Sequence, residues 1–176
     1  MVVKIFSDAW RGHNPDYRGG KYIVGLYAAT TNVAFGIGDP AFASGRKYGE
    51  PLSVGITPAQ GMNASGPTAA LKSAAKIDYG LVGNGGALNL KFNPSSFGGK
   101  DGIKRFSSLL RAYFELGGIH LQCNMVDRKT LLAAKERPEE YKDLIVRPAG
   151  YSVYFVQLAP LAQDDIISRT EYQEEM

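Results

Sequence analysis

The sequence predicts an α/β fold, on three observations. Strand-like and helix-like segments alternate through residues 80–169, the order that brings strands together in parallel. Each helical segment carries its own start and stop signals. Glycine is abundant, 21 of 176 residues, about 12% against roughly 7% in average proteins, so tight turns and close backbone approaches are expected between the elements. The remaining composition, 44% hydrophobic and 21% charged, is that of a globular chain with a buried core.

Residues 1–20 read as a polar, extended lead-in, punctuated by Gly12, Pro15, Gly19 and Gly20. Residues 22–31, YIVGLYAATT, are rich in β-formers and predict a buried strand. Residues 36–66 are dense in Gly, Pro, Ser and Asn without clear periodicity. An irregular stretch of that length is usually functional or packed on a partner. Ser65 or Gly66 then caps a helix, Pro67 suits its first turn, and AALKSAAK propagates it. After a glycine cluster at 80–86, ALNLKF at 87–92 predicts a strand.

Residues 101–116 predict the clearest helix. Ile103, Phe106, Leu110, Tyr113 and Phe114 mark one apolar face, and Gly117 and Gly118 end it. In IHLQCNM, period two puts Ile119, Leu121, Cys123 and Met125 on one face of a strand and His120, Gln122 and Asn124 on the other. Asp127 caps a helix over about 128–136, which Pro138 stops. A short strand at 144–147, a turn at Pro148-Ala149-Gly150, a strand-like run at 151–158 and a helix from Pro160 to about Arg169 complete the chain.

Charge and side-chain inventory exclude several function classes. Net charge is +3; residues 1–150 hold 19 Lys+Arg against 12 Asp+Glu, and residues 151–176 hold 1 against 5. This forms no basic stripe or arm, so no nucleic acid is expected as partner. No apolar run approaches the roughly 20 residues that cross a bilayer, so no membrane is expected either. A single cysteine, Cys123, forbids an intramolecular disulfide, and there is no signal-peptide pattern; a cytoplasmic setting is expected. Two histidines and one cysteine are too few for a structural zinc site.

The candidate groups each have two readings. The polar face of His120, Gln122 and Asn124 either points into a substrate cavity or is the watered side of an edge strand; half-solvated strands are common, whereas parallel ones are usually covered on both faces. Cys123, on the apolar face, reads as a small buried hydrophobe without a cation nearby to lower its pKa. GNGG at 83–86 and GIGD at 36–39 match no phosphate or dinucleotide loop and read as turns. Glu139/Glu140 and Asp164/Asp165 follow helix-starting prolines and read as complements to helix dipoles. Gly150, between two apolar runs, reads as a turn glycine with positive φ.

Seven segments, in order, carry a further signal: RGGKYIVGLYAATTNVAFG, ASGRKYGEPLSVGITPAQGM, GPTAALKSAAKID, NGGALNLKFNP, GGIHLQCNMVD, VRPAGYSVYF and QDDIISRT. Together, from about Tyr17 to Thr170, they resemble the C-terminal part of a glycyl radical enzyme of the pyruvate formate-lyase-like family, and more the dehydratase and decarboxylase branch, with glycerol dehydratase and choline trimethylamine-lyase, than pyruvate formate-lyase itself. The resemblance implies the C-terminal part of a ten-stranded α/β barrel, with the glycyl-radical loop and terminal helices. Residues 1–116 are then the last part of the barrel and 117–176 the glycine radical domain.

By the same resemblance Gly150 is the radical site, in a motif R-V-x-G-Y that here reads Arg147-Pro148-Ala149-Gly150-Tyr151. No cofactor is bound. A separate radical-SAM activating enzyme, the activase, installs the radical, which passes to a catalytic cysteine on a barrel portion or subunit outside this chain and from there to a small-molecule substrate. The implied function is that of the radical-bearing portion of a lyase. The alternative is a degenerate, non-catalytic domain that binds a partner barrel, including a replacement part for oxygen-damaged enzyme. Pro148 departs from the motif's valine; it fixes φ and removes an N–H, which stiffens the loop.

Overall fold

The computed structural model describes residues 1–11, 13, 18–28, 30–62, 65–169 and 171–172. Of the segments read above, Gly12, Pro15, Tyr17, Ala29, Asn63, Ala64, Thr170 and residues 173–176 lie outside these. Among the described residues there are six α-helices: α1 (Val2–Arg11), α2 (Asn32–Gly38), α3 (Gly66–Ala74), α4 (Gly102–Glu115), α5 (Arg128–Glu136) and α6 (Pro160–Ser168). The strands are β1 (Asn89–Phe92), β2 (Gln122–Met125), β3 (Ile145–Val146), β4 (Val153–Tyr154) and β5 (Glu171–Tyr172).

The central sheet has the order β2-β1-β5, and both pairings are parallel. β1 and β2 run in register, Asn89 beside Gln122 and Lys91 beside Asn124. Alternation therefore sorts the pair into two faces. On one face Leu88, Leu90 and Phe92 join Ala70, Leu71 and Ala74 of α3, Tyr113 of α4 and Tyr172 of β5 in a core, with Leu121 and Cys123 packed against it. On the other face Asn89, Lys91, Gln122 and Asn124 are also buried. A second core of Val126, Leu131, Ala134, Val146, Phe155, Ile166 and Ile167 joins α5 and α6 to the β3–β4 region.

Local chemistry accounts for the helix ends. Asp127 Oδ1 accepts from the Thr130 N–H at 2.6 Å and caps α5. Pro67 and Pro160 sit in the first turns of α3 and α6. Ser65 makes no side-chain cap bond to α3. Gly118 is required after α4 because a Cβ there would overlap the Tyr113 ring, whose hydroxyl donates to His120 O at 3.1 Å.

Several expectations are corrected. Residues 2–11 are helical, not extended, because the glycines begin only after Arg11 and Phe6 and Trp10 stack four residues apart, ring centres 6.2 Å apart. In place of the buried strand expected at 22–31, the described residues there form one parallel bridge, Leu26 to Gly86, with Tyr22, Ile23 and Tyr27 exposed; among the described residues they pair with the glycine-rich 84–87 segment. On α4 the buried face is Phe106, Leu109 and Tyr113, while Ile103 is 82% exposed. β3 and β4 are antiparallel, since residues 147–152 are too few for a crossover. β5 and α2 carry no advance signal.

Candidate functional site: the Gly150 loop

The loop at residues 147–151 joins β3 to β4, and side chains hold most of it. Arg147 N–H donates to Asn124 Oδ1 at 2.7 Å, and Asn124 Nδ2 donates back to Arg147 O at 2.8 Å. One carboxamide thus brackets one backbone residue as a neighbouring strand would. Gly150 N–H donates to Gln122 Oε1 at 2.9 Å. Arg169 Nη1 donates to Pro148 O at 2.7 Å. The Tyr151 and Thr30 hydroxyls lie 3.0 Å apart.

Gly150 adopts φ +93°, and nothing lies within 4 Å of where a Cβ would be. The sequence reading of a positive-φ turn glycine is therefore met, and the α-carbon faces open space. Gly150 also borders an open cavity of about 380 Å³, with Tyr27, Asn84, Ile119, His120 and Ala149. Asn84 Nδ2 donates to the Tyr27 hydroxyl at 2.9 Å. His120 Nδ1 accepts from Leu88 N–H at 3.3 Å, so the neutral ring carries its proton on Nε2.

The watered reading of the polar strand face does not describe Gln122 and Asn124. They are 4% and 6% exposed and grip the loop, while Asn124 also lines a small cavity behind β1. His120 borders the cavity beside Gly150. The covered face of a parallel strand was the available signal, since buried amides need partners; which backbone they met was not.

Buried charge supports the loop from behind. Lys91 donates to Ile166 O and Ile167 O at 3.4 and 3.2 Å, at the C-terminal end of α6, where a cation meets the helix dipole. Burial pushes its ammonium down to about 8, against the opposing pull of Glu171 at 3.9 Å. Asp165 is buried and paired with Arg169 at 2.7 Å, so it is a structural anion and not a dipole complement. Glu139 and Glu140 instead pair locally with Lys142 and Arg137. The Asn89 side chain and the Tyr172 hydroxyl have no hydrogen-bond partner among the described residues. Both border a small cavity of about 30 Å³ behind β1, room for a water or two.

Cys123 is where the sequence put it, against the apolar core. Burial pushes its thiol up from 9.0 to about 11, only partly offset by Arg147. At pH 8 this cuts the thiolate fraction about a hundredfold, and the greater nucleophilicity of a more basic thiolate returns less than tenfold. Alkylation of Cys123 by iodoacetamide, followed by intact mass, should therefore be at least about tenfold slower in the native chain than in urea. Equal rates would show that the thiol is not packed as described.

The glycine radical family model matches residues 52–156, which span β1, β2 and the Gly150 loop. The chain is 44% identical to the probable dehydratase YbiW of Escherichia coli (strain K12) over 165 residues, covering 91% of this chain and 20% of that protein. It is also 44% identical to the trans-4-hydroxy-L-proline dehydratase of Clostridioides difficile over 157 residues, 89% of this chain and 20% of that protein. Among solved structures, the glycerol-bound B12-independent glycerol dehydratase from Clostridium butyricum superposes with a TM-score of 0.93 at 44% identity, over 98% of this chain and 22% of that one. A glycyl radical enzyme from Archaeoglobus fulgidus gives a TM-score of 0.88 at 38% identity, over 99% of this chain and 22% of that one. The chain spans about a fifth of the length of these relatives. The family model covers more than half of the chain and includes the loop described above: the chain belongs to the glycyl radical enzyme family and carries its glycine radical domain.

Proposed function

We propose that Gly150 stores an organic radical on its α-carbon and that this chain is the radical-bearing portion of a lyase. The observation that carries the reading is the Gly150 environment: a positive-φ glycine, open on its α-carbon side, at the tip of a loop held by side chains. A planar α-carbon radical is delocalised between the flanking amide nitrogen and carbonyl. Glycine reaches that geometry with the least steric resistance. The Gln122 carboxamide oxygen, bonded to the Gly150 N–H, fixes the plane of one of those amides.

In this reading a radical-SAM activating enzyme removes one hydrogen atom from the Gly150 α-carbon. The glycyl radical then takes a hydrogen atom from a cysteine thiol on a barrel portion outside this chain, and the resulting thiyl takes one from substrate. Cys123 is not that cysteine; it packs in the core on the opposite face of β2 from Gln122. The cavity beside Gly150 is where the missing cysteine loop would approach. Tyr22, Ile23, Phe35, Tyr48 and Met62, large apolar groups exposed here, would be covered by the rest of the barrel. Residues 1–116 then supply barrel and 117–176 the glycine domain, with the β1–β2 pairing as their seam. Because the relatives include several dehydratases, loss of water from a small hydroxylated substrate is the favoured chemistry.

The test is anaerobic incubation with the activating enzyme of a related dehydratase. An organic radical signal should appear by electron paramagnetic resonance and broaden when the chain is labelled with [2-¹³C]glycine. Air should then cut the backbone at residue 150, releasing a fragment that begins near Tyr151. If the labelled chain shows neither broadening nor an oxygen-dependent cut, the reading fails and a non-catalytic, barrel-binding domain takes its place.

A further inference from the structure

We propose that Arg169 is a positioning residue for the Gly150 loop and that, with Asp165, it forms a latch whose release frees the loop for radical installation. The inference deepens the reading of Gly150 as radical site and rests on it. The Arg169 guanidinium faces two ways. Its Nη2 and Nε donate to Asp165 Oδ2 at 2.7 and 3.2 Å, and its Nη1 donates to Pro148 O at 2.7 Å, two residues before Gly150. The other carboxylate oxygen of Asp165 accepts from Gln60 Nε2 at 3.1 Å. The ion pair is sheltered, with side chains 11% and 3% exposed.

One charged pair thus joins three segments apart in sequence: the stretch around Gln60, the end of α6, and the glycine loop. The planar fork sends two donors, Nε and Nη2, to one carboxylate oxygen and a third, Nη1, from its other side to the carbonyl, a fixed three-donor geometry that the single-centred ammonium of lysine does not reproduce. Arg169 belongs to neither apolar core. Its contact with the loop is one hydrogen bond from a charged donor, enough to hold the loop down and weak enough to break when the loop must present its α-carbon to another protein. The α6 end that carries Arg169 is itself fastened by Lys91 and Arg128, which donate to Ile167 O at 3.2 and 3.1 Å. The latch therefore opens between Arg169 and Pro148 while α6 stays in place.

The test is amide hydrogen exchange by mass spectrometry on the full chain, comparing wild type, Arg169→Gln, Arg169→Lys and the double variant Arg169→Gln/Asp165→Asn. The double variant leaves no unpaired buried charge, so it tests the latch even if Arg169→Gln does not fold. Exchange in peptides covering 147–151 should accelerate about tenfold or more in the glutamine variants, the loss expected for one charge-assisted bond, while α4 exchanges as in wild type. Arg169→Lys should keep the Asp165 pair and thermal stability but not full loop protection. With activating enzyme, the double variant should gain its radical signal faster than wild type. Unchanged loop exchange in the folded double variant, or equal acceleration throughout the chain, overturns the latch. Absence of a radical in every protein, wild type included, counts against Gly150 as radical site, and the exchange data still decide the latch.

Discussion

Gly150→Ala is expected to abolish both the radical signal and the oxygen-dependent cut while the chain stays folded. The site has room for a methyl group, because nothing lies within 4 Å of a Cβ built there. The cost to the fold is the strain of alanine at φ +93°, about 1–2 kcal/mol, or a few degrees in Tm for a chain this long. The effect on the radical is of another kind. A β-carbon crowds the flanking peptide groups when the α-carbon flattens, and it blocks the planar, delocalised arrangement that protects the unpaired electron. Paired thermal melts and paramagnetic resonance of the two proteins separate the effects: Tm nearly retained, signal lost. A variant that keeps the full signal would move the radical elsewhere.

Asn124→Leu should be the most damaging single change to the loop's structure. Leucine keeps the branched four-atom outline of asparagine, though its methyl groups are bulkier, but the Arg147 N–H and C=O both lose their partner. Two bonds and the desolvation of the groups left behind amount to about 2–4 kcal/mol, or a fall of roughly 5–15 °C in Tm. Gln122→Leu removes only the bond to Gly150 N–H and should cost about half as much. A calorimetric scan that finds Asn124→Leu as stable as wild type would mean that the bracket around Arg147 does not hold the loop.

What was legible in the sequence follows how local each signal is. The Asp127 cap, the helix of residues 102–115 and the alternation in IHLQCNM are set by neighbours within a few residues, and the structure keeps them. The grip of Gln122 and Asn124 on the loop was only half legible. Period two shows that they share a face, but their partners lie more than twenty positions away, on backbone whose approach depends on how β3 and β4 fold against α5 and α6. Arg169 gave no signal as a loop contact, for its partner is a carbonyl and a carbonyl has no sequence identity. The two-residue β5 was illegible for a related reason. Its pairing with β1 comes from Tyr172 filling the core beside Phe92, ring centres 5.7 Å apart, a tertiary fact without local periodicity.

The parallel sheet also dictates an order of assembly. β1 lies in the middle; β2 follows it after α4, and β5 only after α5, β3, β4 and α6. The α3–β1–α4–β2 unit closes the shorter loop, Asn89 to Gln122, and is suited to nucleate, whereas pairing with β5 joins Lys91 to Glu171 across most of the intervening elements and is reached later. Arg169, which holds the Gly150 loop through Pro148 O, lies two residues before Glu171 of β5, so this hold is coupled to the late pairing. Opening at β5 leaves the α3–β1–α4–β2 unit intact, and in the proposed reading of Gly150 as the radical site that edge gives the loop a hinge supplied by the topology.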